Sequence, residues 1–261
     1  MADVGTRSPS LASASMPGHL EIELCVVVAV LGAAQSVFGV GLLVFGTPTL
    51  LLLGFPFSEV LAYLLPCSIV ISALQVKRGG GLRPLEPLRK QFLVYTAPGV
   101  LLGTIVILAA GSTFNAKPIV GAMLIATAAL RAVEPLRRRL EGFVRRYLTR
   151  LLLALGVVHG LSNLGGGILS VIVGSLYERK EVVRKHIAFA YGLMAIVQLV
   201  TLFATTDVAP VWLLWLALPA LAATMFLLVG QRVFAATPQS WYQPALTALV
   251  FAFGVALLIP A

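Results

Sequence analysis

Four stretches of this chain, residues 24–58, 91–116, 151–177 and 208–231, contain no Asp, Glu, Lys or Arg. A bilayer-spanning helix takes roughly 20 apolar residues, so each stretch is long enough to cross or re-enter a membrane. Inside lipid the backbone must satisfy its own hydrogen bonds, which leaves helices or closed barrels. The runs are continuously apolar rather than alternating with a period of two, which points away from barrel strands. The predicted class is an all-α integral membrane protein. Only 11% of the residues are charged, against about a quarter in soluble domains.

Apolar segments fall at about 22–53, 59–76, 92–111, 118–133, 151–177, 187–206, 210–229 and 243–260. This is eight hydrophobic segments, or ten helices if the first and fifth are each broken in two. The net charge of +9 does not indicate nucleic acid, because the basic residues lie between apolar segments, where they set orientation. Cys25 and Cys67 both lie within segments, which argues against a disulfide framework. Residues 1–21 read as a flexible leader; Glu21 and Glu23, rather than a basic stretch, adjoin the first apolar run, unlike a cleaved signal.

The two halves resemble each other. "VFGVG" at 37–41 aligns with "NLGGG" at 163–167, and "KP" at 117–118 with "QP" at 243–244, both at an offset of 126; a shared offset marks a duplication. Charge then tests the topology. If all eight segments cross once, Arg179, Lys180, Arg184 and Lys185 fall outside, against the positive-inside rule. If segment 151–177 enters and returns on one side, and segment 22–53 does the same, every basic residue except Arg7 and Lys117 is cytoplasmic. Each half then makes three crossings, and the two halves form inverted repeats, a plan common in secondary transporters. A helix of about 30 residues is roughly 45 Å long, too long for one untilted span and too short for two. A re-entrant helical hairpin with a glycine tip fits; the alternative is one long tilted helix that leaves 179–185 outside. The expected organisation is a leader (1–21), a first membrane repeat (22–133), a basic cytoplasmic linker (134–150) and a second repeat (151–261), with loops 77–91, 134–150 and 178–186 cytoplasmic.

"QSVFGVGLLVFGTP" at 35–48, "QVKRGG" at 75–80 and "HGLSNLGGG" at 159–167 resemble the TauE/SafE family of sulfite exporters, over about residues 22–260. The first copy departs from it, with Gly39-Val40-Gly41 in place of a longer glycine run. The resemblance implies a multi-pass protein of the cytoplasmic (inner) membrane that moves small sulfur-containing anions such as sulfite or organosulfonates. It implies no cofactor, metal or nucleic acid; the partners are the anion and the lipid bilayer.

A dehydrated anion needs fixed donors in place of its water shell. With no Lys or Arg expected in an apolar core, the remaining devices are helix N-termini and nearby polar side chains. Candidate substrate-binding residues are Gln35, Ser36, Gly39 and Gly41 in the first half, and His159, Ser162, Asn163, Gly165, Gly166 and Gly167 in the second. Ser36 and Ser162 are equivalent at the offset of 126. The competing reading is close helix packing by small residues, with each serine bonded back to its own helix. His159 either carries a proton or bonds the anion, or is a neutral ring satisfied by backbone. His186, beside Arg184 and Lys185, reads as interfacial or as part of a basic vestibule. Tyr63, Pro66, Cys67, Phe189 and Tyr191 either line the cavity or pack the bundle; Trp212, Trp215, Trp241 and Tyr242 suit membrane interfaces. Two other functions remain: an intramembrane serine hydrolase using Ser162 and His159, and a transporter for an unrelated small anion. The first lacks the G-x-S-x-G surroundings of a nucleophile elbow. A cation transporter is disfavoured, because no Asp or Glu lies in an apolar core.

Overall fold

The computed structural model describes residues 18–82, 85–86, 88–110, 121–122, 125–126, 128–129 and 132–258. Residues 1–17 of the leader, Lys117 and Pro118, and much of segment 118–133 lie outside the described residues, as do the side chains of 134–140. Nine helices carry the account: α1 (Gly18–Phe38), α2 (Leu42–Leu52), α3 (Phe57–Arg78), α4 (Leu88–Ala110), α5 (Glu134–Ser162), α6 (Gly166–Leu176), α7 (Lys180–Thr205), α8 (Trp212–Ala236) and α9 (Gln239–Leu258). Among the described residues there is no strand, and five helices, α1, α3, α4, α7 and α8, are long and apolar enough to cross a membrane.

The helices are apolar on both faces. On α1, Leu24, Val28 and Leu31 are buried, while Ile22, Val26 and Val30 point outward. On α4 the outward face carries Leu101, Leu102, Ile105 and Val106. A helix that is hydrophobic all round is one whose outer face meets lipid. Lipid tails are as apolar as these side chains, so close packing takes over the role that the hydrophobic effect plays in water. Gly99 and Gly103 of α4 lie on Gly156 and Gly160 of α5, backbone against backbone.

Segments 22–53 and 151–177 are both broken. Leu31 and Gln35 of α1 approach Gly46 and Gly41 respectively, and His159 and Leu155 of α5 both approach Gly165, so each chain turns back beside itself. The breaks come where φ becomes positive, at Gly39 (78°) and Asn163 (61°). Glycine has no Cβ to oppose this conformation, and asparagine tolerates it better than most residues. The helix boundaries match at an offset of 124: Phe38 to Ser162, Leu42 to Gly166, Leu52 to Leu176. The offset of 126 therefore needs correcting at the breaks. Gln35 corresponds to His159, Gly39 to Asn163 and Gly41 to Gly165, and Ser36 and Ser162 are not equivalent. Aligning glycine letters misses that an asparagine takes the turning position in the second copy.

Packing is reciprocal between the halves. Helix α8 lies against α1 and α3, α4 lies against α5 and α7, α3 crosses α7, and α2 meets α6. Both α4 and α8 contain a π-helical turn, at Phe92–Thr96 and Phe226–Gly230, which faces α5 in one case and α1 in the other.

Two boundaries differ from the sequence expectation. Residues 134–150 are not a loop; they are the first half of α5, which continues into the apolar segment through a kink at Tyr147 (φ −117°, ψ 21°). Most of 178–186 is likewise helical, since α7 starts at Lys180.

Candidate substrate site at the two helix breaks

The first break is closed by its own side chains. Among the last carbonyls of α1, that of Gln35 accepts the Gly39 N–H at 2.8 Å, and neighbouring elements supply further donors. The Gln75 Nε2 donates to the carbonyls of Gln35 (2.9 Å) and Ser36 (3.1 Å). The Arg184 guanidinium donates to the Ser36 carbonyl at 3.2 Å, and the Tyr242 hydroxyl donates to that of Phe38 at 2.8 Å. The Gln35 side chain donates to Ser68 Oγ at 3.1 Å.

Arg184 corrects the expectation that no cation reaches the apolar interior. It is buried, lies 3.4 Å from the centre of the Phe234 ring, and caps the negative end of α1. Lys185 is also buried and donates to the Gly79 carbonyl. His186 is buried and stacks on Tyr177 at 4.3 Å. Tyr242 is buried too, whereas Trp212 and Trp241 are exposed. In the sequence Arg184 is one of four basic residues at 179–185, and nothing distinguishes the one that turns inward from its neighbours.

The second break is differently satisfied. Nδ1 of His159 accepts the Gly165 N–H at 3.2 Å, which makes the ring a neutral tautomer carrying its proton on Nε2. The His159 carbonyl accepts from Gln198 Nε2 at 3.3 Å, mirroring Gln75 on Gln35. Asn163 Nδ2 donates to Thr47 Oγ1 of α2 at 2.8 Å, tying one hairpin to the other. Several buried polar atoms here make at most a loose contact: the Tyr191 hydroxyl faces the Val44 N–H and His159 Nε2 faces the Gln198 side chain, neither at full hydrogen-bond geometry, and Oδ1 of Asn163 has no partner. Such atoms are costly to leave unpaired.

The hydroxyl of Tyr191 is the focus. A Cβ on Gly166 would come within 2.7 Å of it and within 2.6 Å of Val44 Cγ2. Gly166 opens α6 and Val44 lies in the first turn of α2, so the N-terminal turns of the two short helices meet around this hydroxyl. Neither helix has a side-chain cap. Each N-terminus carries roughly half a positive charge, and among the described residues no Asp or Glu is buried to offset it.

Of the ten candidates, Asn163, Gly165, Gly166 and His159 lie at or beside this meeting point. Gly167, next to Gly166, is in the first turn of α6. Gln35, Ser36, Gly39 and Gly41 form the first break; Gly41 is the N-cap position of α2, and a Cβ on Gly39 would lie 3.1 Å from Ile187. Both serine hydroxyls bond back to their own helices, Ser36 to the Gly32 carbonyl and Ser162 to that of Val158, each at 2.7 Å. The hydrolase reading finds no support: the Ser162 proton goes to a backbone carbonyl, and the acceptor nitrogen of His159 is occupied by Gly165. Thr47, Gln75 and Gln198 are not among the sequence candidates: Thr47 and Gln75 lie in the stretches 35–48 and 75–80, but nothing in the spacing shows that their side chains turn to the breaks, and Gln198 lies far from both in sequence.

An apolar helical bundle with two interrupted helices whose polar tips are buried together is a multi-pass membrane protein. Residues 24–257 match the family model "Sulfite exporter TauE/SafE", and the chain belongs to this family of exporters. No curated protein and no solved structure matches the chain.

Proposed function

We propose that this protein is a secondary transporter of the cytoplasmic (inner) membrane for small sulfur-containing anions of the sulfite or organosulfonate type. Its two halves act as inverted repeats in alternating access, and the anion is held where the hairpin tips meet near the bilayer midplane. The observation that carries this reading is the meeting of two uncapped helix N-termini around the buried Tyr191 hydroxyl, with no buried carboxylate among the described residues to neutralise them. The reciprocal packing of α4 on α5 and of α8 on α1 supports the repeat relation.

In this reading the free N–H groups of the first turns of α2 and α6 and the Tyr191 O–H donate to the anion. Asn163 joins them by turning its amide: the Thr47 hydroxyl both donates and accepts, so it holds either end while the NH₂ group faces the substrate. His159 offers its Nε2 proton. Ser36 and Ser162 shape the helices. Gln35 and Asn163 are fully buried, so substrate reaches the tips only when the halves move relative to one another.

Purified protein in liposomes, tested with sulfite, thiosulfate, sulfoacetate and sulfate, decides the matter. Saturable flux of at least one sulfur anion is expected, and the absence of both flux and thermal protection with all four overturns the proposal.

A further inference from the structure

At the kink in α5 the helix carries a surface pocket of about 430 Å3 lined by Arg146, Tyr147, Thr149 and Arg150. Both guanidiniums are held against one ring, Arg146 at 5.4 Å and Arg150 at 5.7 Å from the Tyr147 centroid. Among the described residues neither has a carboxylate partner, although the side chains are exposed. Two guanidiniums that line one pocket, with no carboxylate partner among the described residues, form a site for an anion, and the planar guanidinium fork matches phosphate oxygens. The Thr149 hydroxyl adds a donor at the rim.

The position of the pocket along α5 decides which anion. Immediately after Arg150 the chain becomes "LLLALGVV", the apolar part of α5. Leu153, three residues beyond Arg150, and the neighbouring Ala154 are exposed, so the face that carries Arg150 continues into one that meets acyl chains. A basic pair directly above a lipid-facing apolar stripe, with a tyrosine between, stands at headgroup level.

We propose that Arg146, Tyr147, Thr149 and Arg150 form a binding site for the phosphate headgroup of an anionic phospholipid whose acyl chains lie along Leu153 and Ala154. The bound lipid sits at the kink and fixes the angle between the basic half of α5 and the half that ends in the second hairpin.

The test is native mass spectrometry of the full-length protein titrated with phosphatidylglycerol or phosphatidylcholine, read as a dissociation constant for the first retained lipid. Loss of two basic groups at a membrane surface corresponds to about a thirtyfold weakening. R146Q/R150Q is expected to lose affinity for phosphatidylglycerol by that factor, while K90Q/R179Q, with the same change in net charge, stays within about threefold of wild type. Tyr147→Leu, which keeps both arginines and removes the ring that holds them, is expected to weaken binding about fivefold; it also serves as the test if R146Q/R150Q does not fold. Equal weakening in R146Q/R150Q and K90Q/R179Q, or unchanged binding in Tyr147→Leu and R146Q/R150Q, overturns the proposal. So does displacement of the lipid by inorganic phosphate at matched ionic strength, which identifies a free-anion site.

Discussion

Asn163 combines two roles that substitutions can separate. Its backbone is left-handed, with φ at 61°, and its amide ties the second hairpin to Thr47 of the first at 2.8 Å. Asn163→Ala places a Cβ in a conformation that costs L-residues about 1–2 kcal/mol and removes a hydrogen bond that contributes about 0.6–1.7 kcal/mol between membrane helices. A loss of about 2–3 kcal/mol is expected. Asn163→Gly loses the same bond but relieves the backbone, so it costs only about 1 kcal/mol. The gap between the two, read by equilibrium unfolding in mixed micelles, isolates the strain. Flux separates fold from site: a hydrogen bond to a charged ligand contributes about 1.5–3 kcal/mol, so N163G, though well folded, should transport sulfite at least about tenfold more slowly. Wild-type flux in N163G removes the amide from the site, and equal stability of N163A and N163G refutes the backbone argument.

Other expectations follow from the same contacts. Tyr191→Phe removes the hydroxyl between the two helix N-termini, which the Val44 N–H faces; sulfite flux should fall about tenfold or more while unfolding costs no more than about 1 kcal/mol. The double change Ser36→Ala and Ser162→Ala should leave flux within about threefold, because both hydroxyls already donate to their own helices; abolished transport in a folded double mutant would return the serines to the site. A Cβ on Gly160 would come within 2.4 Å of an atom of the α4 backbone. Gly160→Ala therefore forces α4 and α5 apart, and a loss of about 1–3 kcal/mol is expected in the same unfolding assay. Arg184→Met keeps the packing on Phe234 but leaves the Ser36 carbonyl with Gln75 alone; destabilisation of about 1–3 kcal/mol is expected, and no change would show the cation to be dispensable.

The chain by itself determined its solvent. Uninterrupted apolar runs cannot stay in water and, in lipid, can satisfy their backbones only as helices, so an all-helical membrane protein followed without any tertiary information. The two breaks were legible as well, from a glycine cluster inside each run together with the basic residues at 179–185, whose placement calls for a chain that returns on itself. Their register was not. Residues 37–41 and 163–167 look alike as letters, but the turn is made by whichever residue takes a positive φ. That is a glycine in one copy and an asparagine in the other, which moved the correspondence from Ser36–Ser162 to Gln35–His159.

Only the tertiary structure decided which polar groups are spent. The two serines look like ligands in a string of apolar residues, yet an i to i−4 bond absorbs each hydroxyl, and no spacing reveals that choice. Arg184 and Tyr191 belong to the breaks because α7 crosses them; the sequence leaves Tyr191 between cavity and bundle packing and Arg184 in a basic cluster at the end of a helix. Burial of a cation against carbonyls, and the meeting of two helix ends around one hydroxyl, are products of long-range packing, in which residues about 150 positions apart become neighbours. Sequence sets what each helix can bury; the crossing of the helices sets what is left over for a ligand.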